Sequence, residues 1–142
     1  MYSAFLHFHS GMRWVVLILI IFNVVNAYGG MSKNRIAGPS DKKLSLFALI
    51  STHLQVVLGL ALYSISPKVQ FSTQTMANGV LRFFTMEHTV MMLIAVILVT
   101  IGHRNAKLGN FKKEFWYYFI ALVIILAAIP WPFRAMLGGG WF

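Results

Sequence analysis

The chain contains no cysteine. That absence excludes a disulfide framework, a thiolate metal site, a thioether-attached haem and a cysteine nucleophile, so any metal or cofactor has to be held by other side chains. Acids are nearly as scarce: Asp41, Glu87 and Glu114 are the only three in 142 residues, and charged residues of both signs make up 11%. A soluble domain carries about 25% charged residues and needs polar groups to cover its surface. With 58% apolar residues and a mean hydropathy of +0.73, lipid is the solvent this composition fits.

What is present is arranged in four apolar runs, about Phe5 to Ala27, Leu44 to Ile65, Phe83 to Gly102 and Phe115 to Phe133. Each is near the ~20 residues that a helix needs to cross the hydrocarbon. The runs are continuous rather than alternating, which points to helices and away from barrel strands. The first run ends in Val25-Asn26-Ala27, similar to a signal-peptidase site, but its cation, Arg13, lies inside the apolar stretch. It is therefore expected to be retained as a span.

The net charge of +9 is distributed between the runs. Lys33, Arg35, Lys42 and Lys43 separate the first two, and Arg104, Lys107, Lys112 and Lys113 separate the last two. Such loops face the cytoplasm, so nucleic acid is not an expected partner. The loop from Ser66 to Arg82 holds only Lys68 and Arg82, which puts it, with both termini, outside. Short connections make neighbours antiparallel. The expected architecture is a single all-α domain over 1–142: an integral membrane four-helix up-down-up-down bundle in a bacterial inner (cytoplasmic) membrane, both termini on the outer (periplasmic) side.

Polar and ionisable residues inside membrane helices are costly and mark functional sites by default. Here they are His9 and Arg13 in the first run, His53 and Gln55 in the second, and Glu87 and His88 in the third. At 1.5 Å rise per residue, His9 is roughly 6 Å and His88 roughly 9 Å below the outer face. These two imidazoles are nearly level, on alternate helices, and can reach one iron from opposite sides. His53 and His103 are poorly matched in height, and His7 points away from His9.

A b-type haem suits this pair, because four-helix cores hold cofactors between facing side chains and neutral imidazoles serve as axial ligands. Its two carboxylates need cations. Arg82, above His88 toward water, is the first candidate and Arg134 the second; Arg13 either contacts a carboxylate turned inward or pairs with Glu87.

His9-Ser-Gly-Met-Arg13-Trp14, Leu54-Gln55-Val-Val-Leu-Gly59 and Glu87-His88 together resemble one four-helix half of haem A synthase and the small bacterial membrane proteins of the cytochrome b type. In that family each half carries a histidine near the outer end of one helix and another two helices later, and the resemblance implies one haem between His9 and His88. The synthase's glutamate one turn before the first histidine, its paired loop cysteines and its second half are absent, so the resemblance implies haem binding rather than haem A synthesis. A weaker similarity runs to the four-helix bacterial protoporphyrinogen oxidase through Pro132-Phe133, without that family's Asn-Glu motif.

The expected function is a membrane b-type cytochrome with one non-covalent haem, acting in electron transfer or as a haem-bearing accessory subunit of a larger membrane or respiratory complex; a quinone partner is compatible. The alternative is a cofactor-free structural subunit of such a complex. No nucleophile, acid pair or metal triad points to a stand-alone enzyme. Met76, Met86, Met91 and Met92 raise Cu(I) but equally serve as apolar filler. Gln55 and Gly59 share a helix face, where Gly59 admits either a porphyrin edge or a neighbouring backbone.

Overall fold

The computed structural model describes residues 1–141, which contain helices and turns and no strand. Helix α1 covers Tyr2–Ser32 and α2 covers Pro39–Ile65. Helix α3 runs over Gly79–Lys107 and α4 over Phe111–Ala128. A 3₁₀ turn at Ala135–Leu137 follows.

Local chemistry explains the boundaries. Helix α1 ends where Asn34 takes a positive φ of 48° and the Arg35 amide reaches back to the Gly30 carbonyl at 3.0 Å. Asn tolerates this left-handed conformation better than most residues. Helix α2 starts at Pro39, whose missing N–H costs nothing in the first turn, and the Asp41 carboxylate accepts the Gly38 amide at 2.7 Å. Asn78 and Asn110 cap α3 and α4, their side-chain oxygens accepting amides of the following turn; asparagine is among the best residues for this.

Helix α4 stops at Ala128, short of the apolar run expected to reach Phe133. Pro130 has no amide to donate and drives Ile129 to an extended ψ of 130°. The helix instead begins earlier, taking in Lys112, Lys113 and Glu114. Three helices, α1, α2 and α3, are long and apolar enough to cross a membrane. With Lys112, Lys113 and Glu114 in its first turn, α4 is too charged to meet that standard. All four helices extend or shift beyond the apolar runs because polar caps and first-turn charges, invisible to a hydropathy count, are helical too.

Helix α3 contains a π-helical turn at Phe83–Glu87, immediately before His88. Tyr63 of α2 donates its hydroxyl to the Thr85 carbonyl within this turn at 2.9 Å. A π turn resets the direction of the residues that follow it and is common at functional sites.

Helix α1 packs on α2 and α4, and α3 packs on the same two, which leaves α1 and α3 facing each other across a diagonal. Val16, Leu17 and Ile20 of α1, Ala48 of α2, Ala95 and Val99 of α3, and Tyr118, Ala121 and Ile125 of α4 form the buried core. At Gly30 the ring of Phe111 lies where a side chain would start, 2.6 Å from a Cβ placed there, so only glycine lets α1 and α4 approach this closely. The outer surfaces stay apolar, with Phe8, Val15, Ile18, Phe22 and Val25 exposed on α1 and Phe47, Val57 and Leu60 on α2. Helices apolar on both faces are those of a bilayer environment.

Candidate functional site

The diagonal between α1 and α3 holds the two histidines. The rings of His9 and His88 are 6.5 Å apart between centroids, with planes at 73°. His88 donates Nδ1–H to the carbonyl of Ala128 on α4 at 2.8 Å. Because a carbonyl only accepts, the proton is on Nδ1, and Nε2 keeps its lone pair in the neutral ring. Such a bond fixes the tautomer and orientation of ligating histidines. Phe83 and Phe84, presented by the π turn, pack against the His88 ring at centroid distances of 5.8 and 6.4 Å.

His9 is set by α2. Gln55 donates its amide to the His9 carbonyl at 2.9 Å, and a Cβ added at Gly59 would stand 3.2 Å from His9 Cε1. The bare backbone at 59 is what lets the imidazole lie against α2. His9 Nδ1 and Gln55 Oε1 are shielded from solvent and have no partner among the described residues. Buried polar atoms left in this state are unusual in a native fold and call for an explanation.

Both rings line one cavity. It is bordered by Gln55 and Gly59 on α2, by Ile125 at the end of α4, and by Arg13, Thr89 and Met92. The segment Gly138 to Gly140 covers one side.

Of the cations expected near the histidines, Arg13 borders the cavity, whereas Arg82 and Arg134 do not. Arg82 donates to Glu87 Oε1 at 2.7 Å and to the Met76 carbonyl at 3.0 Å, with both charged ends well exposed. The expected alternative of an Arg13–Glu87 pair is therefore corrected: Glu87 is taken by Arg82, its near neighbour across the π turn. Arg134 donates to the carbonyls of Ala127 and Ile129, satisfying the end of α4, and lies over the Phe83 ring.

Arg13 is buried, 8% exposed. Its Nη2 donates to the carbonyls of Gly140 at 3.1 Å and Trp141 at 2.7 Å, and Nε has no partner among the described residues. Trp14 donates to the same Trp141 carbonyl at 2.9 Å, and Trp14, Trp131 and Trp141 pack together at ring distances between 6.1 and 6.4 Å. None of the three acids meets Arg13: Asp41 pairs with Arg35, Glu87 pairs with Arg82, and Glu114 opens α4 at the opposite end of the helices.

Sequence reasoning missed Lys68, which also borders the cavity and donates Nζ to the Leu137 carbonyl at 3.2 Å. It passed for an ordinary loop cation, because only the folded 66–78 segment turns it inward. Of the remaining histidines, His7 and His53 are exposed. His53 donates Nδ1–H to the Leu49 carbonyl of its own helix at 2.9 Å. His103 is hydrogen-bonded to Ser45 at 3.0 Å at the far end of the bundle. Among the described residues no group of three or more His, Asp or Glu side chains is placed to hold a metal ion. No protein-family model, no curated protein and no solved structure matches the chain.

Proposed function

We propose that the chain is a four-span membrane cytochrome of the b type, holding one haem between His9 and His88. The observation that carries this reading is the separation of the two rings. Two imidazole nitrogens sharing one metal at about 2.0 Å each put collinear ring centroids roughly 6.3 Å apart, and the centroids here are 6.5 Å apart. The backbone bond of His88 Nδ1 is a second support, since it leaves Nε2 as the ligating atom.

The surroundings fit a porphyrin. Gly59 on α2 and Ile125 on α4, which border the cavity, would flank a macrocycle held by the two histidines. Among the described residues no acidic side chain pairs with buried Arg13, and an anionic group brought by the ligand would balance a guanidinium that is strongly unfavourable when buried without a counter-charge. Arg13 and Lys68, both bordering the cavity, would hold the haem carboxylates. When bound, the haem supplies reversible one-electron chemistry. The protein's own part is to fix both imidazoles, neutralise the carboxylates and keep the iron away from water.

The same reading puts both termini and the His9–His88 site on the outer side of a bacterial inner membrane, with the basic loops around Lys33 to Lys43 and Arg104 to Lys113 inside. It agrees with the resemblance of His9 to Trp14 and of Glu87-His88 to one half of haem A synthase. The role is electron transfer or haem-bearing membership of a larger membrane complex, and a quinone is a compatible partner.

Expression with ample haem tests it. The purified protein should contain one haem per chain by pyridine haemochrome assay, and His9→Ala or His88→Ala should each remove most of it. A colourless wild type would overturn the proposal and leave the cofactor-free structural subunit as the better reading.

A further inference from the structure

The opposite end of the bundle, formed by the α1–α2 and α4 starting turns, holds two carboxyl groups in contrasting surroundings. Asp41 collects the donors: Asn26 Nδ2 at 2.9 Å, Arg35 Nη1 at 2.9 Å and the Gly38 amide at 2.7 Å. Glu114 is only 1% exposed, and its Oε1, shut off from solvent, has no hydrogen-bond partner among the described residues. It lies in the first turn of α4, ahead of the apolar run that starts at Phe115.

A carboxylate with one oxygen shut off from water and left without a donor is less favourable than the neutral acid. The groups facing Glu114 add to this. Burial and the charge of Asp41 push its carboxyl up to about 8, with the Arg35 guanidinium acting the other way. One turn further along α4, the Tyr118 hydroxyl is bound to Ser45 at 2.9 Å, and Ser45 in turn to His103 on α3 at 3.0 Å. Paired groups whose surroundings differ this much divide into an acid and a base.

We propose that Glu114 is a proton-binding site, carrying an exchangeable proton beside the ionised Asp41, and that Arg35 is the cation that responds when this proton leaves. Arg35 bridges Asp41 through Nη1 and Asn26 Oδ1 through Nη2, both at 2.9 Å. A second negative charge beside Asp41 competes for the same guanidinium. Proton loss at Glu114 therefore loosens the bond network that ties the α1–α2 connection to α2, at the end of the bundle away from the histidine pair. The site goes beyond the haem reading and does not depend on it.

Infrared spectroscopy of the full chain in lipid nanodiscs, in H₂O and D₂O across pH, tests this. At about pH 6 the wild type should show a carboxylic-acid C=O band that moves to lower frequency in D₂O. The band should be missing from Glu114→Gln and fade with a midpoint near 8. Asp41→Asn, which removes the neighbouring negative charge, should lower that midpoint. An identical band in Glu114→Gln would overturn the proposal. So would a wild-type spectrum with no acid band above about pH 5, a result that needs no variant.

Discussion

Arg13 reaches across the chain to the carbonyl of Trp141, donating Nη2 at 2.7 Å from the first turns of α1 to the last described residue. With the bond to Gly140 and the Trp14 indole on the same carbonyl, this contact ties the C-terminal segment over the cavity. Hydrogen bonds from a charged donor are worth about 1.5–3 kcal/mol each when neither end is left stranded. Arg13→Leu is expected to cost about 2–4 kcal/mol and to free the segment. Limited proteolysis beyond Arg134 should accelerate, and the near-ultraviolet dichroism of the Trp14, Trp131 and Trp141 cluster should fall.

Gly59 gives a steric test of the His9 position. A methyl group there would sit 3.2 Å from His9 Cε1, which the ring can accommodate by moving a few tenths of an ångström, whereas a branched side chain cannot be fitted. Gly59→Ala should retain haem with a shifted spectrum. Gly59→Val should lower the haem-to-protein ratio several-fold while far-ultraviolet dichroism keeps its helical form.

The cations around the cavity separate by variant. Arg82 and Glu87 form an ion pair whose side chains are 42% and 43% exposed, and exposed pairs contribute about 0–1 kcal/mol. Arg82→Gln should therefore leave haem content unchanged and thermal stability nearly so. Lys68→Met, at the cavity edge, should lower haem retention during gel filtration. A larger loss for Arg82→Gln than for Lys68→Met would assign the carboxylates to Arg82 instead.

Stability should depend on pH through Glu114. Its folded-state value near 8 lies above the ordinary 4.5, so between these two the folded chain holds a proton that the unfolded chain has lost. Stability then falls as pH rises across that window and levels off above it. Glu114→Gln cannot ionise and should lose this component. Thermal unfolding followed by circular dichroism at about pH 5, 6.5, 8 and 9 should show wild type and variant diverging as pH rises, with the wild type declining more steeply.

Much of this arrangement was legible in the sequence, for identifiable reasons. Long apolar runs report helices directly, and the rise per residue suffices to bring His9 and His88 to one level. The rest depended on features that hydropathy does not encode. The early end of α4 comes from Pro130 acting on Ile129, and the charged start of α4 from the Asn110 cap. The π turn at Phe83–Glu87 has no composition signal, although it orients His88 and puts Arg82 beside Glu87. Lys68 and the Gly138 to Gly140 segment reach the cavity only through contacts between residues far apart in sequence, as Arg13 with Gly140 illustrates. Asp41 and Glu114 differ in their donors, which a list of acids cannot reveal.

The most direct test of the account is the electron paramagnetic resonance spectrum of the oxidised, haem-loaded protein. Two histidine ligands give a low-spin ferric signal, and imidazole planes as steeply inclined as the 73° between His9 and His88 make it strongly anisotropic. Replacing either histidine by alanine should convert any residual haem to the high-spin form. A preparation without haem, or a low-spin signal that survives His88→Ala unchanged, would contradict the account.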